Sequence, residues 1–317
     1  MPELPDIEAY ALALDRVIGG HTLLWLQLNH PFLLRSVEVP PEAALQSRIV
    51  AVQRYGKRIA LEFSNNLFYV FHLMIAGRFK WKPESGTGKV AAPGAPPGRS
   101  SSKSGVLARL GFESGVLTLT EAGSKRRASL HVVTGAEQAA ALSRGGIELL
   151  DSGTTLADFN AALQSENHTL KRSLTDPRLF SGIGNSYSDE ILFAAQLSPF
   201  SMSQSISETE ASRLFSAAVD VLREWMDRLL AEAGTKFPTK VTAFRDEMHV
   251  HGKHNQPCDV CGTPVQRIRY AENECNYCPT CQTGGKIYAD RALSRLLKND
   301  WPRTVEELER LDRPPRT

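Results

Sequence analysis

Cysteine is scarce and confined: this 317-residue chain has five, and all lie between Cys258 and Cys281. No framework of disulfides can run through the fold, and a reducing intracellular compartment is expected. No apolar run approaches the roughly 20 residues that a membrane span needs. The N-terminus also lacks the basic-then-apolar pattern of a secretory leader. Excess charge is missing as well, since 37 Lys and Arg face 35 Asp and Glu, a formal net of +2. Bulk charge announces no polyanionic partner, and only local clusters such as GSKRRASLH and LKRSLTDPR carry a basic signal. What remains is an ordinary globular composition, 42% hydrophobic and 23% charged. The chain is long enough for two or three domains with a core each.

The hydrophobic period changes along the chain. DIEAYALALDRVI (6–18) has helical spacing and is closed by Gly19-Gly20. TLLWLQL, IVAVQRY, RIALEF, LFYVFHLMI and GRFKW follow, short runs rich in β-branched and aromatic residues that read as strands. PESGTGKVAAPGAPPGRSSSKSG interrupts them; Gly, Pro, Ser and Ala dominate it, and a flexible insertion over about 84–105 is expected. Strands resume at VLARLGFE and GVLTLTE, a hairpin around Ser114-Gly115, and end with SLHVV. From Thr155 the period is helical, in LADFNAAL, HTLKRSLTD, SYSDEILFAAQL and the long ETEASRLFSAAVDVLREWMDRLLAEAG. AFRDEMHVHG then reads as a strand leading into the cysteine segment, and YADRALSRLLKNDW and TVEELERLD read as polar helices. The expected domains are 1–140, 141–245, 246–283 and a helical extension over 284–317.

Two Cys-x2-Cys pairs, Cys258/Cys261 and Cys278/Cys281, stand sixteen residues apart. Each can present two thiolates from one tight turn, and the four fit tetrahedral Zn²⁺ in a structural ribbon site with TPVQRIRYAENE as its hairpin. Protein fills every position of such a site, so this zinc organises structure and activates no water. Cys275 complicates the reading, because Cys275-x2-Cys278 is an alternative pair; the CPTC turn makes the better knuckle. His249, His251 and His254 are nearby and read as strand and turn residues.

Two other stretches carry chemistry. MPELPDIEAY places Pro2 and Pro5 where each removes a backbone donor. Prolines and acids suit the first turn of a helix. Removal of Met1 would equally leave Pro2 as a secondary amine, and an α-amino group titrates at about 8, well below lysine. Such an amine attacking an aldehyde carbon gives an iminium, an electron sink. Further on, Gly182-Ile183-Gly184-Asn185 joins two expected helices. Glycines there can bring N–H groups to the start of the next helix, where an anion can sit, and Asn185 adds an amide. An ordinary helical hairpin would look the same.

Together these segments resemble the formamidopyrimidine-DNA glycosylase / endonuclease VIII family of base-excision repair enzymes. PELPDIE resembles that family's PELPEVE, and GKRIALEF resembles the strand carrying its phosphate-contacting lysine, here Lys57. LKRSLTDPRLFSGIGNSYSDEILFAAQLSP follows its helix–two-turns–helix signature; FRDEMHVHGKHNQPCDVCGTPV with CPTCQ follows its terminal zinc finger. The resemblance runs from residue 2 to about 282, in order. It implies an α+β multidomain fold: an N-terminal β-sandwich with flanking helices, a helical helix–two-turns–helix domain and a C-terminal zinc-ribbon finger. It also implies a DNA glycosylase and abasic-site lyase. Pro2 would attack C1′ of the damaged nucleotide, Glu3 would act as acid and base, and β,δ-elimination would follow. Lys57 is implied to serve with them. Glu8, His72, Lys171, Asn185, Arg126 and Arg127 are implied to meet the flipped nucleotide or its phosphates. Cys258, Cys261, Cys278 and Cys281 are implied to hold Zn²⁺. The expected form is a monomer acting on damaged DNA, with no membrane partner, cytoplasmic and nucleoid-associated if bacterial.

Four departures qualify the resemblance. Asp6 stands where the family often has Glu. Ile75 stands where it commonly places a methionine that fills the hole left by the flipped base, with Met74 expected on the opposite face of a strand. EAGSKRRA replaces DPRRFG, so no Phe wedge is present, and the finger arginine falls at Asn273, with Arg267 and Arg269 the nearest substitutes. In addition, only TKFPTKVTA separates the expected helix end near Gly234 from FRDEMHVHG. Family members that excise 8-oxoguanine generally carry a longer capping loop there. Abasic sites, oxidised pyrimidines and hydantoins are therefore expected over 8-oxoguanine opposite cytosine. A catalytically reduced binder of abasic or structured DNA on the same scaffold is the alternative, and the retained Pro2-Glu3 pair speaks against it.

Overall fold

The computed structural model describes residues 1–84, 105–123, 125–238, 241, 245–270, 273–288 and 301–311. All but the two end residues of the insertion expected over about 84–105 lie outside them. The chain forms two units, Met1–Gly145 with Trp225–Thr242, and Gly146–Glu224 with Ala243–Thr317.

In the first unit, helix α1 (Leu4–Ile18) precedes eight strands: β1 (Leu23–Leu28), β2 (Ile49–Tyr55), β3 (Arg58–Phe63), β4 (Leu67–His72), β5 (Gly77–Pro83), β6 (Val106–Phe112), β7 (Gly115–Glu121) and β8 (Ser129–Thr134). They make two antiparallel four-stranded sheets, ordered β1-β6-β7-β5 and β2-β3-β4-β8. Burial alternates strictly along β1 and β7, as expected of strands with one face on a core. The inner faces meet in one apolar cluster that includes Leu110 and Leu119 from one sheet and Ile59, Phe71 and Leu130 from the other. Helix α1 adds Ile7, Tyr10, Leu14 and Ile18 at helical spacing. This is the expected β-sandwich with a flanking helix.

Strand β4 is buried on both faces because helix α2 (Gly135–Ala141) lays Ala139 beside Ala60, Phe68 and Val70 on its outer side. GAEQAAA carries almost no apolar stripe, so α2 has little sequence signal. The strand expected through LFYVFHLMI stops at His72. Residues 73–76 form a turn in which Met74 takes a left-handed φ of 53° and Ile75 is 56% exposed. The strand-face argument for Met74 therefore does not apply. The long helix numbered α6 below ends in this unit, where Arg16 Nη1 donates to the Gly234 carbonyl at 2.5 Å and the Phe237 ring lies 5.7 Å from Tyr10. Those contacts group Trp225–Thr242 with the sandwich, whereas the sequence reading assigned it to 141–245.

The second unit holds α3 (Leu156–Gln164), α4 (Leu170–Thr175), α5 (Asn185–Ala194), the first part of α6 (Glu208–Ala233), the hairpin of β9 (Gln266–Tyr270) and β10 (Asn273–Tyr277), α7 (Pro279–Thr283) and α8 (Val305–Leu311). Phe159 of α3 packs against Phe180 and Phe215, with ring centroids 4.9 and 5.3 Å away. The strand expected at AFRDEMHVHG is absent from its described residues, 245–252, which form turns and bends. The N–H groups of its last three histidine-flanked residues go to a side-chain carboxylate instead of a neighbouring strand. In the extension, the Ile287 N–H donates to the Arg303 carbonyl, and Tyr288 sets its ring 4.2 Å from that of Phe200.

Candidate active site and nucleic-acid interface

Glu3 is the N-cap of α1 and only 2% exposed; its N–H donates to Asp6 Oδ2 at 3.0 Å, and the two close a capping box. The shorter Asp6 carboxylate is thus sufficient for the helix start. Pro2 is buried beside them. The amine of Met1 is held below its ordinary value, chiefly by burial; Glu3 and Asp6 oppose the shift, while Arg78 and Lys57 add to it. Lys57 sits with Gly56 in the two-residue turn between β2 and β3, one residue ahead of the strand expected to carry it. Gly56 has φ of 60°, which glycine supplies without strain. Glu8 accepts from Arg54 Nε at 2.8 Å. His72 ends β4 and pairs with Arg58 on one side and Ser129 on the other. Its imidazole is pushed down to about 4 by burial, then by Arg58, Lys57 and His131. Arg126 and Arg127 lie in the loop between β7 and β8. Buried Glu121 pins that loop from below, accepting the N–H groups of Arg127 and Ala128 at 2.9 and 3.0 Å.

In the second unit, Gly182 has φ of +80°, open to glycine, and Gly184 caps α5. From Ser181 to Glu190 every residue is buried except Asn185, which is half-buried at the first position of α5. The glycine loop therefore offers one polar side chain at a helix start. Lys171 Nζ donates to the Asn185 carbonyl and to Asp189 Oδ1, both at 2.6 Å. Asp189 also accepts from His251 Nδ1 at 2.8 Å and from the Asn276 N–H at 3.1 Å. Burial alone would raise its carboxyl, but Lys171 and His251 outweigh burial and hold it below the usual range. Glu190 accepts the N–H groups of His249, Val250 and His251 at 2.8, 3.0 and 2.9 Å. Its carboxyl is nevertheless raised, because burial prevails. Sequence reasoning passed over both acids; their one signal is an adjacent pair of charges inside the apolar stretch SYSDEILFAAQL.

The Sγ atoms of Cys258, Cys261, Cys278 and Cys281 lie within 4.8 Å of one another, with Cys258 and Cys281 4.0 Å apart and Cys261 and Cys278 3.4 Å apart. A tetrahedral Zn²⁺ with bonds of about 2.3 Å needs sulfurs about 3.8 Å apart, so the four thiols fit such an ion. Cys275 stays outside the group, buried in β10 next to Asp189, and burial pushes its thiol up. Two of the nearby histidines are engaged elsewhere: His249 Nδ1 meets Asp259 at 2.5 Å and its ring stacks on Phe193, and His251 meets Asp189. Asn273 is exposed at the start of β10, and Arg267 lies 3.6 Å from Glu274.

Comparison with known proteins connects these parts. Residues 1–118 match the model of the formamidopyrimidine-DNA glycosylase N-terminal domain, and residues 146–233 match that of the formamidopyrimidine-DNA glycosylase H2TH domain. A formamidopyrimidine-DNA glycosylase of Thermus thermophilus is 32% identical over 291 residues, 90% of this chain and 100% of the relative. One from Exiguobacterium sibiricum is 28% identical over 291 residues, 89% of this chain and 99% of the relative. The crystal structure of the MutM (Fpg) protein from Thermus thermophilus superposes with a TM-score of 0.71 at 29% identity, covering 89% of this chain and 98% of that one. Lactococcus lactis Fpg in complex with abasic-site DNA shares the fold at TM-score 0.73 and 20% identity, over 89% and 99% of the two chains. With both domain models in their proper order and a relative matched along its whole length, the chain belongs to the formamidopyrimidine-DNA glycosylase family.

Proposed function

We propose that this chain is a bifunctional glycosylase and abasic-site lyase whose nucleophile is the Pro2 amine released by loss of Met1. That it is a DNA glycosylase of base-excision repair follows from its family; the lyase step and the residue roles are our reading. The observation that carries it is the setting of the chain start: a buried proline with buried Glu3 beside it, at a place where burial already disfavours the charged form of the Met1 amine. An amine kept partly neutral has its lone pair available.

The Pro2 nitrogen would attack C1′ of a nucleotide flipped out of the duplex. The bond from C1′ to the base breaks, and its electrons leave with the base, which takes up a proton. Glu3 would protonate the ring oxygen as the sugar opens, giving an iminium between Pro2 and C1′. The iminium draws electrons toward nitrogen, so loss of a C2′ proton expels the 3′ phosphate. A second elimination expels the 5′ phosphate, and water then releases the amine. Lys57, Asn185 and the Arg126-Arg127 loop would hold phosphates, with damaged DNA as the partner of a monomer. The four-thiolate set suits Zn²⁺, whose role would be to fix the ribbon.

Substrate preference follows from what can cover a flipped base. Helix α6 ends at Ala233; of the few residues that separate it from residue 245, Phe237 packs on the sandwich core and Val241 lies within it. The loop between β7 and β8 carries no aromatic wedge. A base that is neither capped nor replaced in the stack is selected mainly by how poorly it stacks, which favours abasic sites, oxidised pyrimidines and hydantoins. Borohydride should therefore trap an adduct with abasic duplex through Pro2, and a form with a retained N-terminal tag should give none. Undiminished trapping by the tagged form would overturn the mechanism, while binding without any adduct would favour the non-excising binder. In single-turnover cleavage, 8-oxoguanine opposite cytosine should react at least roughly tenfold slower than the best pyrimidine lesion, a barrier difference of about 1.4 kcal/mol. Equal rates would refute the capping argument.

A further inference from the structure

Strand register gathers a row of donors, one arginine, two histidines and a serine, that the mechanism above does not use. Arg58, His72 and Ser129 are direct partners on β3, β4 and β8. Their side chains therefore leave the sheet on one face, and His131, two residues along β8, shares it. This is the outer face, since the intervening Ile59, Phe71 and Leu130 belong to the sandwich core. Helix α2 covers the far end of that face through Ala60, Phe68, Val70 and Ala139. The row of Arg58, His72, Ser129 and His131 is left half-buried. Arg144 acts on Arg58; Arg58, Lys57 and His131 act on His72; Arg58 and Arg35 act on His131. Not one of these influences is an acid.

Arg58 Nε is also sequestered without a hydrogen-bond partner. By itself this arrangement is unfavourable. Like charges in a half-buried setting repel, and a buried donor left unmade costs about 1–3 kcal/mol, more on a charged group. An oxyanion on the row would relieve both costs at once, because a guanidinium fork donates to two oxygens of one phosphate. The sequence did not single out Arg35, Arg58 or His131. Their conjunction depends on a register that composition does not reveal.

We propose that Arg58, flanked by Arg35 and His131, binds a backbone phosphate of the nucleic acid beyond the one met by Lys57. This rests on the reading of the chain as a DNA-binding glycosylase. Lys57 lies in the turn immediately before β3, so the two contacts follow one another on a single track. His72 and His131, kept neutral, supply N–H donors and no charge.

The salt dependence of binding tests the assignment. The ligand is a duplex containing a tetrahydrofuran abasic analogue, which offers no glycosidic bond to break. Each phosphate neutralised contributes about 0.9 to the slope of log K against log salt on B-form DNA. Arg58→Met should lower that slope by about 0.9, and the exposed Arg35→Gln should lower it by less. Trimming the duplex from each end in turn should find one truncation on which parent and variants have the same slope. Equal slopes for the parent and both variants on the full duplex would overturn the proposal. So would inorganic phosphate stabilising the parent but not Arg58→Met against heat while the duplex slopes stay equal, because the row would then serve a free anion. Should Arg58→Met fail to fold, Arg35→Gln decides alone. A failure of the lyase reading would appear as lost borohydride trapping with these slopes unaffected.

Discussion

At the scale of single residues, burial is tolerated where backbone donors surround the charge. Asp6 takes the Glu3 N–H, Glu121 takes two N–H groups from the basic loop, and Glu190 takes three from the segment before the ribbon. The imidazole of His72 follows the opposite course and stays neutral down to about 4 because burial and neighbouring cations oppose its proton. Unfolded histidine takes that proton at about 6.5. Between these values the unfolded chain binds a proton that the folded chain refuses, so stability must fall as the pH is lowered through that window. His131 is shifted downward too and adds in the same sense. The urea midpoint should drop between pH 7 and pH 5, and His72→Gln should lose less of it over the same interval. An equal or steeper loss in the variant would assign the acid sensitivity to other groups. Pro2 and Glu3 could be singled out from sequence because their chemistry resides in adjacent residues. The surroundings of His72 could not, since they come from three strands.

Among the elements, α5 ties the most together. Its first residue, Asn185, is the accessible side chain of the glycine loop, and one turn later Asp189 and Glu190 reach the ribbon segment. The family resemblance implied that Lys171 and Asn185 both meet the flipped nucleotide or its phosphates. The Lys171 ammonium instead meets a carboxylate with no exposure at 2.6 Å, so the two residues should separate by experiment. Lys171→Met leaves Asp189 buried without its cation and should cost about 3–5 kcal/mol in urea unfolding. Asn185→Ala should cost less than about 1 kcal/mol. Lys171→Met combined with Asp189→Leu, which removes both charges, should recover much of the loss. A Lys171→Met protein as stable as its parent would show that the ion pair does not hold α4 to α5. Periodicity was enough to find α3, α4, α5 and α6. Besides Lys171, the partners of Asp189 are His251 and Asn276, 62 and 87 residues away in sequence, and pairing at that range leaves no local pattern. The same cause defeated the strand expected at AFRDEMHVHG, where the N–H groups of His249, Val250 and His251 are taken by Glu190 from α5.

On the scale of the whole molecule, the proposed chemistry falls to one unit, while the proposed phosphate contacts fall to both. Pro2, Glu3 and Lys57 belong to Met1–Gly145, while Asn185 and the cysteine ribbon belong to the other unit. Segment order was legible because PELPDIE, the glycine loop and the two Cys-x2-Cys pairs are short motifs with fixed spacing. The boundary within α6 was not, because its helical period runs without interruption through Trp225, where the grouping changes. The division predicts how the protein responds to losing its metal. With Zn²⁺ in the four-thiol site as proposed, Cys281→Ser, or a chelator, removes a thiolate or the ion from a ribbon that Glu190 and Asp189 latch to α5, so a zinc content of one per chain should fall and affinity for abasic duplex should fall with it. The amine and its carboxylate are untouched by that change. At protein concentrations high enough to saturate the DNA, borohydride should still trap the adduct in nearly the parental yield per bound complex. Metal-free protein that binds as tightly as before would separate the ribbon from DNA binding. Protein that binds at saturation yet forms no adduct would show that the ribbon is needed for the chemistry itself, and that the division of labour between the units is wrong.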